Sequence, residues 1–323
     1  MPNSKSMPRA MRWAIVLGAG AILYFTPFAG LAPAQRHLLA IFAGTIVALV
    51  LQPAPMGASV LIATTLLQLT GTLPPAKILS GFANVTVWLI FTAFLFARAI
   101  TSTGFGMRVG YLFVEWFART PLTLGYSIAA VGVALAPFVP SDTGRGGGIM
   151  YPVTQSIADA FDSKPGPTAR RIGSYLMLTG FHTNYPASAL FLTSMASNPV
   201  MAEFAARIAH VNLSWVNWLR GSILPAILTF TLVPWLLMRL SPPEVRDTAP
   251  ARDLARRELA RMGKPKRQEK LLMAIMLGVM IGWITSPWHS VPNTFVALAG
   301  VCAILVFHVM EWDELLGERK AWD

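Results

Sequence analysis

Long apolar stretches alternate with short polar ones along the chain, and most approach the ~20 residues that a membrane-spanning helix requires. The pattern predicts an all-α, polytopic membrane protein with about eight spans and one re-entrant helical hairpin. The third stretch is shorter than the others. The predicted spans are Trp13 to Ala29, His37 to Leu51, Met56 to Leu69, Val85 to Thr103, Tyr175 to Thr193, Val216 to Leu237, Leu271 to Ser286 and Phe295 to Met310.

The segment Pro121 to Phe161 breaks this pattern with two apolar arms around a polar turn. The arms, Leu122 to Phe138 and Ile149 to Phe161, are both short for a span, and the turn Ser141 to Gly148 contains four glycines. Unpaired peptide groups are costly in a bilayer, so irregular backbone is tolerated there only when it is buried in protein or lines a water-filled site. The segment therefore predicts a re-entrant hairpin whose tip has a function.

Basic residues beside the predicted spans indicate the orientation, because Lys and Arg are enriched in short cytoplasmic flanks. Lys5, Arg9 and Arg12 precede the first span and predict a cytoplasmic amino terminus. The loop Pro287 to Thr294, predicted to lie outside, contains neither Lys nor Arg. The alternation holds only if residues 121–161 enter and leave the membrane from the cytoplasmic side. We therefore expect a multi-pass protein of the cell inner (plasma) membrane.

The composition supports this class: 54% of the residues are hydrophobic and 13% are charged, against roughly 25% charged residues in soluble domains. The net charge is +11, but nine of the 26 Lys and Arg fall between Glu244 and Lys270, outside the predicted spans. Such a cluster favours the cytoplasmic side of a membrane protein over nucleic-acid binding. The single cysteine, Cys302, excludes a disulfide framework, and we expect neither a metal centre nor an enzyme.

Part of this basic region, Pro250 to Lys264, predicts an amphipathic helix. Leu254, Leu259 and Met262 form a narrow apolar stripe among arginines, which is typical of a helix on the cytoplasmic membrane surface.

The hairpin tip has the groups that bind an anion. Ser141 and Thr143 offer hydroxyls, Gly144 allows a ligand to approach the backbone, and Arg145 has a planar fork that matches a carboxylate. The second arm would begin there with free N–H groups, which also favour an anion. We predict substrate contacts from Ser141, Asp142, Thr143, Gly144 and Arg145.

A second interruption lies in the next apolar stretch, where polar residues and prolines follow one another from His182 to Pro199. Asn198-Pro199 predicts a break in the helix, because proline removes a helical hydrogen bond and restricts the preceding residue. Re-entrant tips that face broken helices form substrate and ion sites in secondary transporters. We add Thr193, Ser194 and Asn198 to the predicted substrate site, although such residues also join helices structurally.

Four stretches together resemble the divalent anion/sodium symporter family, and within it the 2-oxoglutarate/malate and citrate/succinate translocators. They are GFANVTVWLIFTAFLFARAI (Gly81 to Ile100), STGFGMRVGYLF (Ser102 to Phe113), LAPFVPSDTGRGGGIMYPV (Leu135 to Val153) and ALFLTSMASNP (Ala189 to Pro199). The resemblance implies a transporter of di- or tricarboxylates that works as a homodimer, with elevator-type movement of a transport domain against a scaffold. It also implies two inverted repeats, each with a Ser-Asn-Thr-like hairpin tip, and a sodium site beside each tip, here Ser141, Asp142 and Ser194.

On this basis the chain divides into four parts. Residues 1–120 are scaffold helices. Residues 121–240 are transport-domain elements, with the hairpin at 121–161, the broken helix at 168–210 and a span at 216–238. Residues 241–270 hold the cytoplasmic basic helix, and residues 271–323 are scaffold helices of an incomplete second repeat.

Two departures from the family pattern change the expectation. Asp142 stands where the triplet usually has asparagine, so its charge must be removed by protonation, by Arg145 or by a cation. A cationic side chain in place of sodium would favour exchange of one dicarboxylate for another over sodium symport. The chain also ends at ERKAWD, Glu318 to Asp323, without a second triplet, so we expect it to be the amino-terminal part of a longer transporter with half of the substrate site.

Two alternatives from other classes remain open at this point. Ser141, His182 and Asp142 form the residue set of a serine hydrolase, but Ser141 and Asp142 are adjacent and no Gly-x-Ser-x-Gly turn is present. The other alternative is a membrane scaffold or interaction protein that no longer transports.

Overall fold

The computed structural model describes residues 7–26 and 30–322, and in this part of the chain the regular elements are helices, without a β-strand. The all-α prediction is therefore confirmed. Contacts divide the chain into two compact units, residues 1–84 and residues 85–322. This division falls earlier than the predicted scaffold boundary at residue 120, because the helices from Val85 onward pack with the hairpin.

The first unit is built on two antiparallel helices, α1 (Arg9–Phe25) and α2 (Pro33–Leu51). Gly20 and Gly44 allow their backbones to approach closely. The helices α3 (Met56–Leu69) and α4 (Pro75–Ile78) and a 3₁₀ turn (Leu79–Ala83) follow.

The arginines before the first predicted span also have a structural role. Arg9 Nε donates to Pro53 O at 2.8 Å, and Arg12 Nη1 donates to Leu51 O at 3.2 Å. These bonds satisfy carbonyl groups at the end of α2, which have no partner within the helix. Lys5 and Ala29, which belong to the predicted flank and to the predicted end of the first span, lie outside the described residues.

The second unit contains the hairpin, the broken helix and the helices that surround them. In chain order its α-helices are α5 (Val85–Ser102), α6 (Phe105–Phe117), α7 (Pro121–Leu135), α8 (Asp142–Arg145), α9 (Tyr151–Ala160), α10 (Gly173–Leu190), α11 (Ser197–Ile208), α12 (Trp215–Leu240), α13 (Ala249–Met262), α14 (Arg267–Ile284), α15 (Ser286–His289), α16 (Asn293–Val306), α17 (Trp312–Leu316) and α18 (Arg319–Trp322).

Four helical segments in the described residues are long and apolar enough to cross a membrane: Pro33–Leu51, Val85–Ser102, Pro121–Phe138 and Trp215–Leu240. Two shorter apolar helices, Met56–Leu69 and Asn293–Val306, coincide with other predicted spans. The first hairpin arm is in the longer group, contrary to the expectation that both arms are too short, because a 3₁₀ turn extends α7 to Phe138. The length of this arm therefore does not by itself identify a hairpin.

Hydrogen bonds at the base of the two arms support the hairpin more strongly than arm length does. Before the first arm, Ala118 O accepts from Thr248 Oγ1 at 2.9 Å. After the second arm, Arg170 O accepts from Glu244 N at 3.1 Å. The segment Glu244 to Thr248 thus contacts the chain just before the hairpin and just after it. The first arm therefore begins, and the second arm ends, near the same end of this unit, as a hairpin requires.

The predicted amphipathic helix exists as α13, but its apolar side is used within the protein. Ala251 and Ala255 are completely buried, and Leu254, Leu259 and Met262 pack against the core beside α6 and α9. The expectation that this stripe rests on the membrane surface is thus corrected. The two alanines, which the sequence analysis did not single out, let α13 approach its neighbours closely.

A buried ion pair between Arg108 and Glu269 fixes the connection from α13 to α14. The two side chains are 8% and 3% exposed, and Arg108 Nη2 donates to Glu269 Oε1 at 3.2 Å. Arg108 Nη1 also donates to Gly263 O at 2.9 Å, just after α13. Burial alone raises the pKa of Glu269, but hydrogen bonds from Arg108 and from the Lys266 backbone outweigh it. The pKa is therefore lowered from its ordinary value of 4.5.

We predict that Arg108→Ala lowers the free energy of unfolding by about 3–5 kcal/mol, because the Glu269 carboxylate then stays buried without its partner. Arg256→Ala removes an exposed ion pair to Glu115 and Asp253 and should cost at most about 1 kcal/mol. Thermal unfolding of the purified variants measures both.

The pair's contribution is complete above the unfolded pKa of Glu269 and is lost as pH falls through the lowered folded pKa. The difference between the parent and Glu269→Gln should therefore shrink on acidification, and a difference that stays constant would contradict this account.

Candidate functional site

The tip of the hairpin is a short extended turn followed at once by helix. After α7, a 3₁₀ turn (Ala136–Phe138) leads into residues 139–141, which are not helical, and α8 begins at Asp142. Ser141 caps this helix, because its Oγ accepts from Gly144 N at 3.0 Å. The expected open turn from Ser141 to Gly148 is thus corrected. Its glycines lie within the second arm, where a π-helical turn (Gly146–Met150) joins α8 to α9.

The helix break is also displaced from its predicted position. Helix α10 ends at Leu190 and α11 begins at Ser197, so the break consists of residues 191–196 and precedes Asn198-Pro199. Pro199 lies in the first turn of α11, where a missing N–H group leaves no hydrogen bond unmade. Asn198 bridges the break, since its Nδ2 donates to Ser188 O at 2.8 Å and to Phe191 O at 3.0 Å.

The hairpin tip and the helix break contact each other through backbone groups that neither helix satisfies. Ala196 N donates to Pro140 O at 3.1 Å, and Thr193 Oγ1 donates to Pro137 O at 2.8 Å. Thr193 Oγ1 also accepts from Trp215 Nε1 at 3.4 Å. Two interruptions whose hydrogen-bonded residues are 56 positions apart in the chain therefore complete each other's hydrogen bonds.

Arg145 lies at the centre of this contact and is 0% exposed. A guanidinium group has five N–H donors, and each has an acceptor within the protein. Nε donates to Asn184 Oδ1 (3.0 Å), Nη1 to Val139 O (2.9 Å) and Ser194 O (3.4 Å), and Nη2 to Asn184 O (3.1 Å) and Ser188 Oγ (2.5 Å). Arg145 thus joins the tip, the break and α10 in one network.

Every donor of the Arg145 guanidinium has an acceptor within the protein, so none is left for a substrate carboxylate in this conformation. The predicted substrate contact of Arg145 stays a prediction. The sequence could not show this network, because two of the acceptors, Val139 O and Ser194 O, are backbone carbonyls at the helix interruptions and the others come from α10.

The Asp142 carboxylate is partly neutralised within the same network. Its Oδ1 accepts from Asn184 Nδ2 at 2.7 Å and from Ser188 Oγ at 2.8 Å, and lies 3.7 Å from Arg145 Nη2. Proximity to Arg145 is one of the three ways in which we expected its charge to be removed. Asn184 and Ser188, four residues apart on α10, were not predicted as site residues. Their signal was the presence of two polar side chains around Pro186 in an apolar helix.

The predicted site residues fall into two groups by exposure. Thr143 is exposed, whereas Ser141, Asp142 and Gly144 are partly buried at the tip. The remaining four, Arg145, Thr193, Ser194 and Asn198, are buried. Among the residues that the structure describes, Ser194 Oγ is a buried atom without a hydrogen-bond partner.

Two cavities border the tip and the break. One, of about 560 Å³, is lined by Asp142, Thr143, Gly146 and Gly147 of the hairpin and by Asn184 of α10. The other, of about 1250 Å³, reaches Leu192 in the break and Pro199 in α11, and Arg220 also lines it. The tip and the break thus each border a space that is large enough for a small organic anion.

An apolar helical unit that buries a hairpin tip in a helix break has the architecture of a secondary membrane transporter. The chain belongs to the family described as "Sodium:sulfate symporter transmembrane region", which matches residues 8–323. This result confirms the resemblance to the divalent anion/sodium symporters.

Individual relatives agree with this assignment. The "Putative malate transporter YflS" of Bacillus subtilis (strain 168) is 39% identical over 311 residues, which are 96% of this chain and 65% of the relative. The "Dicarboxylate transporter 1, chloroplastic" of Arabidopsis thaliana is 39% identical over 95% of this chain and 56% of its own. The "L-tartrate/succinate antiporter" of Escherichia coli O6:K15:H31 (strain 536 / UPEC) is 31% identical over 97% of this chain and 68% of its own. The chain thus spans 65% and 56% of the length of the first two of these relatives.

The family consists of transporters, not enzymes, which removes the hydrolase alternative. In the described part of the chain, moreover, no hydrogen bond joins His182 to Ser141 or Asp142. The same residues contain no group of three or more His, Cys, Asp or Glu that is able to hold a metal ion.

Two neighbouring glycines of the π-helical turn provide a matched test of this packing. A Cβ on Gly146 would lie 2.6 Å from Asn184 Nδ2, whereas one on Gly147 would have no neighbour within 4 Å. We predict that Gly146→Ala destabilises the protein by about 1–3 kcal/mol, since the Asn184 side chain cannot move without losing its hydrogen bonds to Asp142 and Arg145. Gly147→Ala should be neutral or stabilise by up to about 1 kcal/mol. Thermal unfolding of both variants measures the difference, and equal effects would refute the packing described for Asn184.

Proposed function

We propose that this chain is part of a secondary transporter for di- or tricarboxylates of the 2-oxoglutarate, malate, succinate and citrate class. The observation that carries the proposal is the contact between the hairpin tip and the helix break, held by Arg145, with a cavity beside each of them. The names of the relatives support the substrate class, since they describe transporters of malate, of dicarboxylates, and of tartrate and succinate.

We propose that the substrate contacts the exposed side of the tip. Thr143 and Asp142 line the smaller cavity, and Ser141 and Gly144 flank them in the chain. A hydroxyl donates to a carboxylate oxygen, and such charge-assisted bonds are stronger than neutral ones. The buried residues Arg145, Thr193, Ser194 and Asn198 act as positioning residues that hold the tip in place.

The hydrogen bonds across the contact also suggest how the site moves. Five donors of Arg145 connect the tip, the break and α10, so these elements move together more readily than apart. That behaviour suits an elevator-type transport domain made of residues 121–240, with scaffold helices in 1–120 and 271–323. A homodimer in the inner membrane with a cytoplasmic amino terminus completes the proposal.

For the coupling we favour exchange over sodium symport. A sodium ion beside the tip would take oxygen ligands. Val139 O and Ser194 O, the carbonyls suited to it, already accept from Arg145. The guanidinium supplies the positive charge that a sodium ion would otherwise supply. The predicted ion site of Ser141, Asp142 and Ser194 remains the alternative, and the unpartnered Ser194 Oγ favours it.

Uptake into proteoliposomes tests function and coupling together. We expect labelled malate or 2-oxoglutarate to enter vesicles that contain the complete transporter and internal dicarboxylate, equally well with Na⁺ or K⁺ outside. Uptake that requires a sodium gradient and no internal dicarboxylate would overturn exchange but preserve transport. Uptake no greater than in empty vesicles under both conditions would overturn the proposed transport function.

Binding measurements test the tip directly. We predict that Thr143→Ala weakens malate binding about 10- to 100-fold, because a hydrogen bond to a charged group contributes about 1.5–3 kcal/mol. Thr101→Ala, which removes an exposed hydroxyl on α5, should leave the affinity unchanged. Titration calorimetry of the purified proteins measures both, and equal affinity of the parent and Thr143→Ala would remove this hydroxyl from the site.

A further inference from the structure

The connection between α13 and α14 carries positive charge that the transport site does not use. Four cationic residues, Lys264, Lys266, Arg267 and Lys270, follow one another within seven positions, and all four are exposed. We call residues 264–270 the basic segment.

Nearby carboxylates already have partners. Glu269, inside the basic segment, is buried against Arg108, and Glu258 on α13 pairs with Arg261 at 3.3 Å. Among the residues that the structure describes, no carboxylate lies within 4.0 Å of the amino or guanidinium groups of Lys264, Arg267 and Lys270. These three charges are therefore available to an outside partner.

The basic segment is also held in a defined position. Arg108 donates to Gly263 O, immediately before it, and to Glu269 within it. Gln268 Nε2 donates to His308 O at 3.4 Å, which connects the segment to the chain just after α16. A preorganised cluster loses less conformational entropy on binding than a flexible tail does.

The helix that follows shows what lies beside these charges. Met273, Leu277 and Ile281 on α14 are 46%, 47% and 58% exposed, at the i, i+4 and i+8 positions of one helix face. Lys270 precedes Met273 by three residues and continues the same face. An exposed apolar stripe on a membrane protein faces lipid tails, so its basic continuation lies at the level of the headgroups.

We propose that the basic segment binds the phosphate headgroups of anionic phospholipids, with Lys264, Arg267 and Lys270 as the contacts. Clusters of this size beside a membrane helix attract anionic lipid, and each charge contributes about fivefold to affinity. Because α13 packs on α6 and on α9 of the hairpin, bound lipid stabilises the base of the hairpin as well.

A lipid titration of the purified full chain in neutral detergent tests this site without reference to transport. We expect phosphatidylglycerol to raise the melting temperature at concentrations where phosphatidylcholine has little effect. The triple variant K264Q/R267Q/K270Q should need on the order of a hundredfold more phosphatidylglycerol for the same shift. The variant K77Q/K164Q/R207Q loses three exposed charges elsewhere and should respond as the parent does.

Charge rather than side-chain shape is the expected cause, so K264R/R267K/K270R should keep the response even if the glutamine variant folds poorly. The response of the parent should also decrease between 0.05 and 0.5 M NaCl, because salt screens exposed charges. An unchanged lipid response in the glutamine variant would overturn the proposal. Equal stabilisation by inorganic phosphate would indicate a site for free anions instead, and equal stabilisation by polyglutamate would indicate an acidic protein partner.

Discussion

The buried guanidinium of Arg145 is the interaction on which the site depends. A helix break and a hairpin tip both leave peptide carbonyls without helical partners, and in an apolar environment such groups are costly. Arg145 donates to carbonyls from both interruptions and to α10, with all five of its N–H groups engaged. The irregular backbone is therefore stable where it is, and the exposed Thr143 beside it occupies a fixed position.

The same principle recurs at the base of the hairpin. Arg108 is buried against Glu269 and donates to Gly263 O, so a single side chain fixes the passage from α13 to α14. Each of the two arginines lies on one helix and donates hydrogen bonds to acceptors on other segments. Long cationic side chains with several donors suit this task, since one residue pairs with several acceptors at once. Basic residues that are counted to predict membrane orientation therefore also join helices.

Sequence patterns predicted the positions of the important elements more accurately than the residues at which each helix begins and ends. The hairpin, the broken helix and the amphipathic α13 all exist close to their predicted positions. Their boundaries moved by several residues, because caps and tertiary contacts decide where a helix stops. Ser141 caps a helix that was expected to begin after the glycines, and Asn198 bridges a break that was expected at its own position.

The sequence by itself determined the membrane class, the family and the two polar interruptions, because hydropathy and motif order are properties of the chain alone. Only the tertiary structure decided which polar residues line a cavity and which are buried in hydrogen bonds within the protein. Arg145 and Thr143 are two residues apart and both polar, yet the arginine is buried and the threonine exposed. The difference arises from carbonyl groups of distant segments, whose positions no local pattern contains.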